Sequence, residues 1–154
     1  RSAAMAGNDE EVILAATAIL TDAKVAPELE NEARYYRAKS LVKVNQMAHA
    51  VADWQSLAQD TRNAYGAEAK YQLAQYLFDT GKTADAEKEV LNYLEVSTPH
   101  TYWLARSFVL LSDIYAKLDR KLEARQYLLS LKQNYQADDD IAGMIESRLE
   151  KLNE

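Results

Sequence analysis

The chain has 154 residues, 48% of them hydrophobic, which is enough to enclose a continuous core. Its net charge of −6 argues against nucleic acid or an anionic membrane surface as a partner, because both require a basic stripe on the protein. The absence of cysteine excludes disulfides and thiolate metal sites.

Apolar periodicity and turn residues predict eight helices. Asn8 or Asp9 is expected to cap the first helix, which runs to about Asp22. Pro27 begins the second helix, because its missing N–H costs nothing in a first turn. The second to seventh helices are predicted at about 28–44, 46–60, 67–80, 83–95, 99–117 and 120–135. A last helix starting at 138–140 is expected to cap the structure with an apolar face of Ile141, Ile145, Leu149 and Leu152.

A five-residue signature occurs three times with the same internal offsets of 0, 3, 12, 16 and 19. Its copies start 36 and then 38 residues apart, and self-similarity at this period marks a solenoid of helical hairpins. The copies are Ala38, Leu41, Ala50, Trp54 and Leu57; Ala74, Leu77, Ala86, Val90 and Tyr93; and Ser112, Tyr115, Ala124, Leu128 and Leu131.

Small residues occupy offsets 0 and 12 of every copy, which lets two antiparallel helices approach closely. Offset 7 holds Asn45, Gly81 and Asp119, the residue types that best tolerate the left-handed conformation at a helix end. Each copy is therefore predicted to fold as helix, tight turn, helix.

This pattern resembles the tetratricopeptide repeat (TPR), a helical hairpin of about 34 residues with small residues at its eighth and twentieth positions. Gly81 falls at that family's turn glycine, Tyr115 at its first-helix tyrosine and Pro99 near its closing proline. Arg34 and Lys70 depart from the family, which often has Trp at these positions. The resemblance implies an all-α, right-handed superhelical solenoid of antiparallel helix hairpins.

The resemblance covers about 31–136 and implies a single domain over 1–154. Its predicted parts are a half-repeat at 8–27, repeats at about 28–62, 66–97 and 98–136, and a C-terminal capping helix at 138–153. Lengthened repeats of this sort are similar to those of bacterial cell-envelope proteins, which favours the periplasm or envelope over the cytoplasm. Because the chain starts at Arg1, we expect it to be a fragment of a longer protein.

The sequence contains no recognisable catalytic, cofactor or metal motif. His49 and His100 lie on different repeats, and neither has a second ligand at metal spacing. Asp138–Asp140 lacks the rest of a calcium loop and is expected to favour the positive end of the last helix. The apolar stretch Val12–Leu20 is too short to span a membrane. We therefore expect a protein that is not an enzyme, uses no cofactor and does not insert into membranes.

The resemblance implies that the first helix of each hairpin lines a concave groove that binds a peptide or protein. Carried onto this sequence, the groove positions are Glu32, Tyr35, Lys39 and Lys43; Glu68, Tyr71, Gln75 and Phe78; and Arg106, Val109 and Asp113. In the alternative interpretation, Tyr35 and Tyr71 only pack between neighbouring hairpins. A clamp for a partner's C-terminal carboxylate is disfavoured, because only one basic residue matches that subtype well.

The third repeat follows a longer spacing of 38 residues, which predicts that the helix starting at Pro99 overhangs its neighbours by about one turn, some 6 Å. This would place His100, Tyr102 and Trp103 in a second candidate patch at one rim. In the alternative interpretation, Trp103 packs onto Tyr93 or Leu94 as ordinary core.

The leading functional hypothesis is a non-catalytic scaffold that binds a peptide or protein through this groove. One alternative is a structural spacer or self-association module that forms a homo-oligomer through exposed apolar edges. Another is a regulatory TPR segment of a larger multidomain envelope protein. The sequence does not identify the partner.

Overall fold

The computed structural model describes residues 3–96 and 98–154. This part of the chain is all-α, with eight helices and no strands, which confirms the predicted class. The helices are α1 (Ala3–Leu20), α2 (Pro27–Lys43), α3 (Met47–Leu57), α4 (Ala64–Asp79), α5 (Thr83–Glu95), α6 (Thr101–Lys117), α7 (Lys121–Asn134) and α8 (Ile141–Leu152).

The predicted cap of the first helix is wrong. Helix α1 already includes Ala3, so Asn8 and Asp9 lie inside it. Asp9 is 7% exposed, and its Oδ1 accepts a hydrogen bond from the hydroxyl of Ser40 in α2, 3.0 Å away. Its carboxylate therefore joins two helices and does not end one.

The predicted overhang of the third repeat is also wrong. Helix α6 has 17 residues, the same number as α2. It begins at Thr101 and not at Pro99, because the hydroxyl of Thr98 accepts the backbone N–H of His100 at 3.1 Å and holds a turn there. The longer spacing therefore adds no extra turn to α6.

The chain forms two compact units, which we call unit 1 (up to Lys70) and unit 2 (from Tyr71 onward); the boundary falls within α4. In unit 1, α2 packs against both α1 and α3. In unit 2, α6 packs against α5, α7 and α8, and α7 also contacts α8.

Unit 1 encloses a small core and one close backbone approach. Its buried apolar side chains are Ala16, Ala33, Ala38, Leu41, Ala50, Trp54, Leu57, Ala67 and Ala69. Gly66 lies so near the end of α3 that a Cβ there would overlap the carbonyl oxygens of Leu57 and Asp60. Only glycine fits at this position, where α4 starts.

The described residues of unit 2 include two clusters of buried core side chains. The first contains Tyr71, Ala74, Ala86, Val90, Leu110, Leu111, Ile114, Tyr115 and Ala124. The second contains Ala105, Val109, Leu128, Leu131, Ile141 and Ile145. Leu152 of α8 packs against both clusters, so the last helix covers apolar surface as its pattern predicts.

The signature positions form the cores as predicted. Every one of them is buried except Leu77, which is partly buried and packs against the first cluster of unit 2. The small residues at offset 12, Ala50, Ala86 and Ala124, are each 0% exposed. Each of these alanines is therefore fully enclosed by its neighbours.

The predicted left-handed turns are confirmed in all three copies. Asn45, Gly81 and Asp119 have φ of 63°, 85° and 61°, and they are the described residues with positive φ. In each turn the next backbone N–H donates at 2.8 Å to the carbonyl at signature offset 3: Gln46 to Leu41, Lys82 to Leu77 and Arg120 to Tyr115. This is the Schellman arrangement, which satisfies carbonyl groups at a helix end.

No helix in the described residues is both long and apolar enough to cross a bilayer.

Candidate functional site

Arg106 on α6 is the centre of a polar and aromatic cluster in unit 2. Its Nη1 donates to the hydroxyl of Tyr102 at 3.0 Å, and its Nη2 donates to the hydroxyl of Tyr71 at 2.9 Å. Its guanidinium carbon also lies 4.8 Å from the ring centroid of Tyr71 and 5.8 Å from that of Trp103. We call Tyr71, Tyr102, Trp103 and Arg106 the Arg106 cluster.

The aromatic rings of the cluster pack on one another. Trp103 lies 4.9 Å from Tyr102 in an edge-on arrangement and 5.6 Å from Tyr71, between ring centroids. Tyr71 is 4% exposed, so its ring belongs to the core, in line with the packing alternative. Trp103 is half-buried and packs against the first core cluster of unit 2.

The two tyrosine hydroxyls extend the cluster through further hydrogen bonds. The Tyr102 hydroxyl donates to Oδ1 of Asp140 at 2.9 Å, just before α8. The Tyr71 hydroxyl donates to Oε1 of Gln75 at 2.9 Å, and Gln75 Nε2 donates to Asp79 at 2.8 Å. Each phenol therefore accepts from Arg106 and donates to a second partner, which fixes the guanidinium between α4 and α6.

The guanidinium has spare hydrogen-bonding capacity. It uses two of its five N–H donors in these bonds, and no carboxylate of the described residues forms an ion pair with it. Burial raises the pKa of Tyr71 and of Tyr102, while the nearby Arg106 opposes the rise. Both phenols are therefore neutral at physiological pH, and the cation can still receive a carboxylate or a carbonyl oxygen.

Three other predicted groove residues of unit 2 contact other residues of that unit. Asp113 accepts from Arg148 of α8, with Nε 3.0 Å from Oδ1 and Nη2 3.1 Å from Oδ2. Burial raises the pKa of Asp113, and Arg148 opposes that rise. Val109 is 2% exposed and lies in the second core cluster. Phe78 is half-buried, with the ammonium of Lys117 5.9 Å from its ring centroid.

Unit 1 contains a separate cluster of three tyrosines. The ring of Tyr35 stacks on Tyr65 at 4.3 Å and meets Tyr36 edge-on at 5.2 Å. The Tyr35 hydroxyl donates to Glu68 at 2.9 Å. The Nζ of Lys39 lies 5.1 Å from the ring centroid of Tyr35. Burial, and then the hydrogen bond to Glu68, raise the pKa of Tyr35.

The structure thus brings together some predicted residues and adds others. Tyr35, Lys39 and Glu68 are neighbours in unit 1, while Glu32 and Lys43 are exposed on the same helix as Tyr35. Tyr102 and Trp103 of the predicted rim patch join the Arg106 cluster, whereas His100 is half-buried in the turn before α6. Tyr36 and Tyr65 were not predicted as site residues, although Tyr36 lies one helical turn after the predicted groove residue Glu32.

A cleft of about 350 Å³ in unit 2 was not predicted either. It lies between α6 and the end of α7, and its lining is mainly apolar: Thr101, Leu104, Ala105, Phe108, Leu131, Asn134, Tyr135, Gln136 and Ala137. Within the described residues, no group of His, Asp or Glu is arranged to hold a metal ion.

No family model, curated protein or solved structure matches this chain. The function is therefore inferred from the residues and their geometry. The two candidate surfaces are the Arg106 cluster in unit 2 and the exposed side of α2 in unit 1.

Proposed function

We propose that this chain is a non-catalytic, TPR-like scaffold that binds a peptide or protein, and that Arg106 is its anchoring cation. The partner supplies a carboxylate, from a side chain or a chain terminus, to the unused N–H donors of Arg106. Trp103 and Tyr102 provide aromatic surface beside that bond. The proposed site anchors the partner with a single cation, and in this it differs from a carboxylate clamp built on several basic residues.

Regular hydrogen bonding between successive first helices supports the repeat interpretation. In unit 1, Tyr35 bonds to Glu68, 33 positions along the chain. In unit 2, Tyr71 bonds to Arg106 and Asp113 to Arg148, each pair 35 positions apart. A hairpin of about 34 residues that stacks on its neighbours produces contacts at this separation.

The unpaired charge of Arg106 is the observation that carries the proposal. Arg106 is partly buried, so its guanidinium has lost water without gaining a carboxylate from the described residues. An incoming carboxylate would replace the lost water with charge-assisted hydrogen bonds, which are about twice as strong as neutral ones. Arginine and aromatic residues are also the side chains most enriched at the energetic centres of interfaces.

The proposal can be tested with peptides selected from a random library displayed on phage. Labelled copies of the selected peptides are titrated with the purified chain, and fluorescence anisotropy gives their affinities. We expect Arg106→Gln to weaken binding by about tenfold to a hundredfold, because hydrogen bonds to a charged group are worth about 1.5–3 kcal/mol. Arg106→Lys should also bind less tightly, because it keeps the charge but loses the planar fork.

A matched control separates a local effect from a change in net charge. Lys88 is an exposed cation on α5, so Lys88→Gln removes the same charge without touching the cluster. Binding should survive this change, and circular dichroism should show that all variants are folded. Failure to select any peptide, or equal affinities for the parent and Arg106→Gln, would overturn the proposal.

A further inference from the structure

Helix α2 presents an exposed strip of residues that the Arg106 site does not use. The strip consists of Glu28, Glu32, Tyr36, Lys39 and Lys43, which we call the α2 strip. All five side chains are exposed, and Tyr36 is 46% exposed. Each residue of the strip is three or four positions from the next, so all five share one face of the helix. The opposite face carries buried residues, Ala33, Ala38, Ser40 and Leu41.

The charges of the α2 strip are separated along the helix. Glu28 and Glu32 occupy its first half, and Lys39 and Lys43 occupy its second half. None of these four residues forms an ion pair with another described residue. The aromatic centre between them is Tyr36, with half-buried Tyr35 beside it.

We infer that the α2 strip is a self-association surface, which binds the same strip of a second copy of this chain with the two helices antiparallel. A two-fold axis passing between Tyr35 and Tyr36 sets Glu32 of each copy opposite Lys39 of the other. The same axis sets Glu28 opposite Lys43. Every charge of the strip then meets an opposite charge, and each pair occurs twice by symmetry.

The charge order also specifies the orientation of the two helices. A parallel pair would place Glu28 opposite Glu28 and Lys43 opposite Lys43, and like charges repel across an interface. In the antiparallel pair, the exposed ring of Tyr36 lies at the centre and loses contact with water. The strip spans about 22 Å of helix, from Glu28 to Lys43. This contact is small, and exposed ion pairs are individually weak, so the dimer should be weak and sensitive to salt.

Sedimentation velocity over a range of protein concentrations, at low and high salt, tests the inference. The parent chain should show a reversible monomer–dimer equilibrium that shifts toward monomer as salt rises. Glu28→Lys with Glu32→Lys makes the strip positive, and Lys39→Glu with Lys43→Glu makes it negative. Each double variant alone should dimerise at least about tenfold more weakly than the parent, because like charges then face each other.

An equimolar mixture of the two double variants gives the decisive result. The positive and negative strips attract each other, so the mixture should form a heterodimer under conditions in which each variant alone dimerises only weakly. Lys88→Glu with Lys121→Glu changes the net charge as much as the negative variant does, at exposed positions in unit 2, and it should dimerise like the parent. Circular dichroism melting verifies that every variant is folded.

Several outcomes would overturn the inference. A parent chain that remains monomeric at every concentration would do so, as would a parent dimer that neither charge reversal weakens. A mixture without heterodimer, or a control variant that dissociates as readily as the strip variants, would also contradict it. None of these results bears on the Arg106 proposal, which concerns peptide affinity at residues of unit 2.

Discussion

Arg37 and Asp53 form a bidentate ion pair that joins α2 to α3 in unit 1. The Nε of Arg37 donates to Oδ2 of Asp53 at 2.8 Å, and its Nη2 donates to Oδ1 at 2.6 Å. The Asp53 side chain is only 3% exposed, and the Arg37 side chain is 23% exposed. Arg37 Nη1 also donates to the hydroxyl of Thr17 at 3.1 Å, so one guanidinium connects α1, α2 and α3.

Replacing Arg37 with alanine should destabilise the chain strongly. The Arg37→Ala change leaves the Asp53 carboxylate buried without a cation, and breaking a buried pair in this way costs about 3–5 kcal/mol. Arg34→Ala on the same helix is the control, because its pair with Glu30 is partly exposed, with a separation of 3.4 Å. That change should cost less than about 0.5 kcal/mol. Urea denaturation measures the free energy of unfolding of both variants. Equal losses of stability in the two would contradict the structural role given to Arg37.

A larger side chain at a small signature position should overpack a hairpin of unit 2. Ala86 is 0% exposed and belongs to the first core cluster, so Ala86→Leu should cost about 1–3 kcal/mol. Lys88→Leu adds an apolar side chain at an exposed position of the same helix, and its melting temperature should stay close to that of the parent. An Ala86→Leu variant that melts with the parent would argue against close helix approach at this position.

Local signals explain why the helices and turns could be predicted from the sequence. The signature spacing predicts which residues are buried, and Asn45, Gly81 and Asp119 are residue types suited to positive φ. Asp9 shows where such reasoning fails. An acidic residue before an apolar run resembles a helix cap, but its actual partner is Ser40 on another helix. Only tertiary structure distinguishes these two roles.

The candidate sites were only partly predictable for the same reason. The family resemblance placed Arg106 in the groove. It did not predict that Arg106 donates hydrogen bonds to the hydroxyls of Tyr71 and Tyr102. Likewise, only one of the adjacent residues Tyr35 and Tyr36 matched a groove position. The exposure of Tyr36 depends on how α2 is rotated against its neighbours, which residue spacing does not fix to within one position.

The same glycine-to-alanine change should have opposite effects at two positions of unit 2. Gly81 has φ of +85°, and a Cβ there would meet no atom within 4 Å, so Gly81→Ala acts through the backbone alone. It should cost about 1–2 kcal/mol, the penalty of a left-handed conformation for a residue with a Cβ. Gly143 lies inside α8 with equally open space, and Gly143→Ala should stabilise by about 0.5–1 kcal/mol. Chemical denaturation measures the free energy of unfolding of both variants. If both changes shift it in the same direction, the assigned backbone conformations are contradicted.

Tyr135 should make the stability of the chain depend on alkaline pH. Its hydroxyl donates to Oδ2 of Asp139 at 2.5 Å. Burial, then the hydrogen bond to Asp139, and then the negative charge of Asp139 raise the pKa of Tyr135 to about 12, from an ordinary value of about 10. The folded state therefore favours the neutral phenol. This contribution to stability is complete below about pH 10 and is lost as the pH rises through about 12.

Comparison with Tyr135→Phe isolates this contribution from those of the other tyrosines. The difference in unfolding free energy between the parent and this variant should be constant below about pH 10 and should change between pH 10 and 12, to the disadvantage of the parent. Asp139→Asn removes the charge beside the phenol, so the pKa of Tyr135 should fall toward its ordinary value and the affected pH range should narrow. Urea denaturation at a series of pH values gives these differences. If the difference between the parent and Tyr135→Phe does not change with pH, the phenol is not held neutral by its contact with Asp139 and by burial.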